Sequence, residues 1–209
     1  MTRSTDSLVA AHVTAYDELA EEFAERTAVM PPELVALGEN ILGRFPSPPS
    51  ILDVGCGPGR DMAWFEQRAA TVTGIDVSSS MLELARRQCV GELIAMDMRE
   101  LALPDASFDV VWSIASLLHL PKADASLALA EFRRVVKPGG IVVVVVKAGD
   151  GERWERTGDW PNRLFARYAP AELRAAIEAV GLEVESVTET VSERGEAWLQ
   201  AVARRCQAS

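Results

Sequence analysis

Glycines at 55, 57 and 59 lie between a run that reads as a β-strand, ILDV from Ile51, and one that reads as a helix, DMAWFEQR from Asp61. A loop of this composition lets backbone N–H groups approach a ligand closely at the start of a helix. The loop alone is a weak sign, and three acids strengthen it. Asp53, Asp76 and Asp97 stand at or near the carboxyl ends of three successive apolar runs, the edge at which open α/β sheets bind ligands. Asp76 follows Gly55 by 21 residues, near the spacing at which a carboxylate accepts both hydroxyls of a ribose. A charged hydrogen bond of that kind contributes ~1.5–3 kcal/mol. A single strand-end Asp is commonly a helix N-cap, but three in register with a glycine loop point to a nucleoside-like ligand.

Other chemistries fail on particular positions. The third glycine of a dinucleotide fingerprint is required at 60, where the chain has Arg60, and no lysine follows the loop as in a phosphate-binding P-loop. Cys56, Cys89 and Cys206 are scattered and lack C-x-x-C spacing, which gives neither a disulfide framework nor a zinc site. No carboxylate cluster follows Ser113 to hold a hard cation, so no metal is expected. The titratable group best placed for proton transfer is His119, in SIASLLHLP, with an ordinary pKa near neutrality; its alternative is a hydrogen-bonded residue of a helical turn.

These residues need a frame, and the chain alternates strand and helix from Ile51 onward. The strands read ILDV, TVTGID, ELIAMD, FDVVWS and IVVVVVK, and the unbroken apolar run at 141–146 fits a central strand buried on both faces. Two helices precede them. The first carries Leu8, His12, Tyr16, Leu19 and Phe23 on one stripe, and the second spans about Glu33 to Phe45 behind Pro31-Pro32. A helix at about Pro170–Val180, ended by Gly181, leads to strands near 182–191 and 197–204. The five residues between those strands are too few for a parallel crossover, so the pair is expected to be antiparallel. The stretch at 148–168 reads as irregular and polar, with Trp154, Trp160, Phe165 and Tyr168 among balanced charges. It suits an organic ligand, a lid or a packed surface connection.

Together, ILDVGCGPG at 51–59, GIDVS at 74–78 with MLELAR at 81–86, AMDMREL at 95–101, LPDASFDVVWS at 103–113 and EFRRVVKPGG at 131–140 resemble the successive motifs of class I S-adenosylmethionine-dependent methyltransferases. The resemblance covers nearly the whole chain. It implies an α/β fold with a Rossmann-like, seven-stranded, mostly parallel sheet, helices on both faces and a C-terminal antiparallel hairpin. The chain is expected to form one domain, residues 1–209, in which helices within 1–48 cover the site and 49–209 form the core.

The implied cofactor is S-adenosyl-L-methionine, leaving S-adenosyl-L-homocysteine. Asp53 belongs to the expected cofactor site, and Gly55, Gly57 and Gly59 are expected against the methionine portion and ribose. Asp76 is expected on the ribose hydroxyls and Asp97 on the adenine amino group. The resemblance further implies that Val77 and Met81 pack on the adenine, although Met81 equally fits ordinary helix core, that the Met98 backbone contacts its edge, and that Ser113 and Ile114 flank the sulfonium. Tyr16, in YDELAEEFAER, resembles a cofactor-covering helix residue, although its place on the apolar stripe also allows plain packing. The implied activity is methyl transfer to an O, N or C nucleophile of a small molecule. The competing readings are a cofactor-binding enzyme without methyl transfer, such as a cyclase, and a non-catalytic binding module.

Bulk composition agrees with a small-molecule partner. A formal net charge of -10 disfavours a nucleic-acid footprint, which needs clustered cations. The amino-terminal residues lack the apolar core of a secretory signal, and no apolar run approaches the ~20 residues that span a bilayer. A cytoplasmic protein without membrane association is expected. Sequence says nothing of its oligomeric state.

Overall fold

A computed structural model describes residues 5–156 and 160–207, with side chains described from residue 9. Two helices lead, α1 (Thr5–Arg26) and α2 (Pro32–Leu42). Then come β1 (Ser50–Val54), α3 (Arg60–Glu66), β2 (Thr71–Asp76), α4 (Ser79–Ala85), β3 (Glu92–Ala95) and β4 (Phe108–Ile114). After a short 3-10 turn at Leu117–His119 the chain forms α5 (Lys122–Val135), β5 (Val136–Lys147), β6 (Glu152–Glu155) and β7 (Arg163–Ala166). It closes with α6 (Pro170–Ala179), β8 (Glu183–Val191) and β9 (Ala197–Arg204).

Seven strands form one sheet in the order β3-β2-β1-β4-β5-β9-β8. The first five are mutually parallel; β9 runs antiparallel to both β5 and β8, as the short connection at 192–196 requires. Gly195 takes φ 76° in that turn, where the Gly195 N–H donates to the Ser192 carbonyl at 2.8 Å. Strand order reverses between β1 and β4, which leaves a crevice at their carboxyl ends.

The sheet is buried on both faces because β5 offers apolar side chains to each. Val142, Val144 and Val146 join Leu129, Phe132 and Ile177 on the α5/α6 side. Ile141, Val143 and Val145 join Ile41, Phe65 and Trp112 on the α2/α3 side. Ile51 is fully buried, and truncating it to Ala costs ~2–5 kcal/mol through lost transfer energy and the cavity left behind.

Three local expectations need correction. The second helix stops at Leu42, three residues before the expected Phe45, where the Gly43 N–H closes the last turn onto the Glu39 carbonyl at 3.0 Å. β3 stops at Ala95, so Asp97 belongs to the turn beyond it rather than to the strand end. The irregular reading of 148–168 gives way to an antiparallel hairpin in which Trp154 pairs with Leu164 and Arg153 with Phe165. Its dense charges hide the alternation, because Arg163 in β7 is buried together with Leu164, Phe165 and Ala166.

Candidate active site

The glycine loop follows β1, and all three glycines have positive φ, 70°, 53° and 88° at 55, 57 and 59. Their roles divide. A Cβ on Gly55 would lie 2.4 Å from the Ser116 Cβ, and one on Gly59 would lie 2.6 Å from the Cys89 Sγ. A Cβ on Gly57 meets nothing closer than Phe23 at 3.8 Å. Glycine at 59 therefore serves packing against α4, while Gly57 keeps backbone open toward a cavity of about 960 Å³ lined by Gly55 and Gly57 but not by Gly59. That volume lies at the upper end of the ~300–1,000 Å³ typical of ligand pockets.

Acids form the cavity floor at the ends of β1 and β2. Asp76 accepts the Gly57 N–H at 2.9 Å through Oδ2 and the Ser78 N–H at 2.8 Å through Oδ1. The Val77 backbone also bonds this carboxylate, so three backbone donors hold a group with about four acceptor sites. Burial raises the Asp76 pKa, opposed by those backbone donors. Asp53 is buried, and its Oδ2 has no hydrogen-bond partner. Its pKa lies well above the ordinary carboxyl value, first because of burial and then because Asp61 and Asp76 lie close. Asp61 is held in place by the Trp112 indole N–H at 2.8 Å and by the Arg60 Nε at 2.5 Å.

The remaining adenosine-side residues are mostly brought together. Val77, Met81, Asp97, Met98 and Ile114 line the cavity with Asp76. Met81 is also core, packed with Ala20, Leu84 and Tyr16. Asp97 is already engaged: its Oδ2 accepts the Arg99 Nη2 at 2.7 Å and its Oδ1 the Arg99 N–H at 2.9 Å. Those bonds outweigh its partial burial and hold its pKa below the usual value. Ser113 is not in the cavity wall. It is fully buried behind Ser116, with the two hydroxyls 2.8 Å apart, and Ser116 donates to the Val54 carbonyl at 2.7 Å. Ser116, not Ser113, lines the cavity. Between them Ala115 has φ 54°, a left-handed conformation that costs a non-glycine residue ~1 kcal/mol or more.

The same cavity has a basic and aromatic wall. The His119 Nδ1 is 2.9 Å from the Leu164 carbonyl, which can only accept, so Nδ1 carries the proton and Nε2 is the acceptor. Tyr16 lies 2.7 Å from that Nε2 and therefore donates its hydroxyl proton to it. The Tyr16 oxygen in turn accepts the Arg163 Nη1 at 3.1 Å. On the other side of Leu164, its backbone N–H donates to the His12 Nε2 at 3.1 Å. The imidazole rings pack edge to face with centroids 4.9 Å apart. Burial, then neighbouring positive charge, lowers both pKa values, His12 to about 4 and His119 well below 6.5. Both histidines are neutral at pH 7.

Helix α1 and the β6–β7 hairpin hold this wall. Asp17 accepts the Ser78 hydroxyl at 2.5 Å, tying α1 to the start of α4 beside Tyr16. The Trp160 indole N–H donates to Glu22 of α1 at 2.7 Å. Trp160, Arg163, Phe165 and Lys147 face the cavity, whereas Tyr168 is buried in the main core and Trp154 is partly exposed against His12. Sequence reasoning missed Arg163, Lys147, Ser116 and Asp17. Lys147 ends the buried β5 run, and that position was the available signal; Arg163 had none beyond its place among aromatics. Among the described residues no group of three or more His, Cys, Asp or Glu is arranged to hold a metal.

Comparison with known proteins accords with this geometry. A family described as "Methyltransferase domain" matches residues 52–144. The 27-O-demethylrifamycin SV methyltransferase of Amycolatopsis mediterranei is 30% identical over 86% of this chain and 71% of its own length. The malonyl-[acyl-carrier protein] O-methyltransferase of Serratia marcescens is 32% identical over 75% of this chain. The chain spans 63% of that protein, and 36% and 54% of relatives from Streptomyces halstedii and Pseudescherichia vulneris. Burkholderia thailandensis 1,6-didemethyltoxoflavin-N1-methyltransferase, crystallised with its substrate and S-adenosylhomocysteine, shares the fold at TM-score 0.81 and 20% identity, over 99% of this chain and 92% of its own. The seven-stranded sheet with its terminal hairpin, the glycine loop at the switch point and this relationship together place the chain in the class I S-adenosylmethionine-dependent methyltransferases.

Proposed function

We propose that this chain transfers a methyl group from S-adenosylmethionine to a small molecule held between the acidic floor and the basic, aromatic wall. The observation that carries the reading is Asp76. Its two oxygens are fixed by the backbone of Gly57, Ser78 and Val77, and the carboxylate keeps acceptor capacity for a ribose hydroxyl. The unpartnered buried oxygen of Asp53 supports it further, because a carboxyl beside Asp61 and Asp76 is suited to a cationic ligand. When bound, the cofactor supplies an electrophilic methyl on a positively charged sulfur.

In this reading Gly57 gives the close backbone approach, Gly55 lets the loop pass Ser116 at the cavity edge, Val77, Met81 and Met98 enclose the base, and Asp97 faces its edge while held by Arg99. Gly59 supports the loop through α4, and Ser113 supports it through Ser116. Ile114 and Ala115 border the transfer path. Helices α1 and α2, within residues 1–48, cover a core formed by 49–209. Because alignment of two reactants can supply ~7–11 kcal/mol, positioning is the main task of these residues.

His119 acts through Tyr16. When an acceptor hydroxyl arrives protonated, the Tyr16 oxygen takes its proton as Tyr16 passes its own to the neutral His119 Nε2. The new oxygen–carbon bond forms as the carbon–sulfur bond breaks. The test is incubation with methyl-labelled S-adenosylmethionine and a panel of acids, phenols and amines. Label recovered in an acceptor supports transfer; cofactor binding with no labelled product from any acceptor favours a cyclase or a binding module.

A further inference from the structure

Resting on that reading, we infer that Arg163 is an anion-binding residue for the methyl acceptor, and that the acceptor is an acidic oxygen compound, a carboxylate or a phenolate-like anion, ionised when the methyl is transferred. Arg163 is only 4% exposed, yet among the described residues no carboxylate pairs with it. Its single hydrogen bond is to the Tyr16 hydroxyl; Nε is buried without a partner, and Nη2 has no protein acceptor. A guanidinium cannot shed its charge at any working pH, so burial without an anion is costly unless a ligand completes the site.

The surroundings define that ligand. The guanidinium carbon lies 4.8 Å from the Trp160 ring centroid, 5.2 Å from Phe165 and 5.3 Å from Tyr16. These rings hold the cation and exclude water, but their faces cannot accept the planar, two-pronged hydrogen bonds that a carboxylate accepts from arginine. Lys147 on this wall is already matched: its Nζ lies 3.3 Å from Glu155 and 3.1 Å from Glu196. Arg60 and Arg26 also line the cavity and lie against Asp61 and Glu22, and Arg194 is exposed, so among the described residues Arg163 is the buried cation there without a carboxylate.

The chemistry closes in the same sense. An anionic oxygen attacks a sulfonium methyl, the oxygen–carbon bond replaces the carbon–sulfur bond, and a neutral ether or ester and a neutral thioether result. Charge is cancelled in the step, which is favoured wherever the reactants are removed from water. Asp76 and Arg163 line the same cavity, so the positive and the negative reactant each meet an opposite charge within one space.

The experiment titrates the protein, saturated with S-adenosylhomocysteine, with acetate, propionate and benzoate and with their neutral amides, reading tryptophan fluorescence. At least one anion is expected to bind ten or more times more tightly than its amide, and Arg163→Met is expected to abolish that preference; Arg163→Lys, which keeps the charge, retains part of it. Equal affinities within every pair, no binding by any anion, or a preference that survives Arg163→Met overturns the assignment. A second arm compares S-adenosylhomocysteine with 5′-methylthioadenosine, which lacks the carboxylate. If Arg163→Met weakens only the former, the guanidinium serves the cofactor's carboxylate, and the acceptor assignment falls. Failure of the unaltered protein to bind S-adenosylhomocysteine defeats the cofactor reading instead, a separate result.

Discussion

Tyr16 and His119 are 103 positions apart in the chain and share a hydrogen bond of 2.7 Å from the phenol to Nε2. The direction follows from the Leu164 carbonyl on the far side of the imidazole, which fixes the proton on Nδ1. The pair joins the amino-terminal helix to the turn after β4, so it forms only when α1 lies across the cavity. It also changes the role first expected of His119, whose two ring nitrogens are both occupied.

Tyr16→Phe removes the hydroxyl between Arg163 and His119 while keeping the ring that packs on Phe23 and Met81. With a phenolic acceptor, turnover is expected to fall ~10²-fold, the low end of proton-transfer catalysis, with S-adenosylhomocysteine affinity nearly unchanged. His119→Gln is expected to behave likewise. Because burial keeps the His119 pKa well below 6.5, the unaltered protein shows no inflection near 6.5 that belongs to this ring. A rate profile with such an inflection, lost in His119→Gln, contradicts this arrangement.

Gly57→Ala and Gly55→Ala separate ligand approach from packing. Both sites have positive φ, so alanine costs ~1–2 kcal/mol of backbone strain at each. At 57 the added methyl meets only Phe23, at an ordinary contact distance of 3.8 Å, and the variant is expected to fold with weakened S-adenosylhomocysteine binding. At 55 it collides with Ser116, which is anchored to Val54, and thermal stability is expected to fall further. Equal losses of stability at the two sites contradict the division.

Acid is expected to destabilise the molecule through its paired histidines. His12 has a pKa of about 4 when folded against 6.5 when unfolded, so between those values the unfolded chain binds the extra proton. The contribution is complete above pH 6.5 and disappears as pH falls toward 4; by linkage it amounts to ~3 kcal/mol at most. His119, also lowered, adds in the same direction. Urea midpoints measured from pH 7.5 to 4.5 should decline, and less steeply in His12→Gln. An equal slope in that variant removes His12 from the effect.

Lys147, Arg167, Glu155 and Glu196 link β5, the β6–β7 hairpin and the β8–β9 turn, with Arg167 3.0 Å from Glu155 and 2.8 Å from Glu196. Either carboxylate alone leaves each cation one partner. Glu155→Gln and Glu196→Gln are each expected to cost ~1 kcal/mol, and the double variant more than their sum, because Lys147 is then buried unpaired. Strict additivity in chemical unfolding contradicts a shared network.

Most of the parallel core was legible in the chain because strand burial and helix amphipathicity leave periodic patterns. Asp53, Asp76 and the glycine loop were legible for a related reason: topology places strand ends together. What the sequence concealed depends on contacts between distant segments. Nothing local distinguishes Gly59, which packs on Cys89, from Gly57, which faces the cavity. Ser113 and Ser116 exchange places because the positive φ of Ala115 turns the chain between them. Arg163 looked like one charge among many until β7 proved to be buried, and the proton on His119 is set by a carbonyl 45 residues away.

The central claim is that the cavity above Asp76 holds the adenosyl cofactor. Calorimetric titration with S-adenosylhomocysteine measures it most directly. One saturable site per chain is expected, with affinity lowered ~10- to 100-fold in Asp76→Asn, as loss of a charged hydrogen bond dictates. Absence of binding by the unaltered protein, or equal affinity in Asp76→Asn and Asp76→Ala to that of the unaltered protein, contradicts the account.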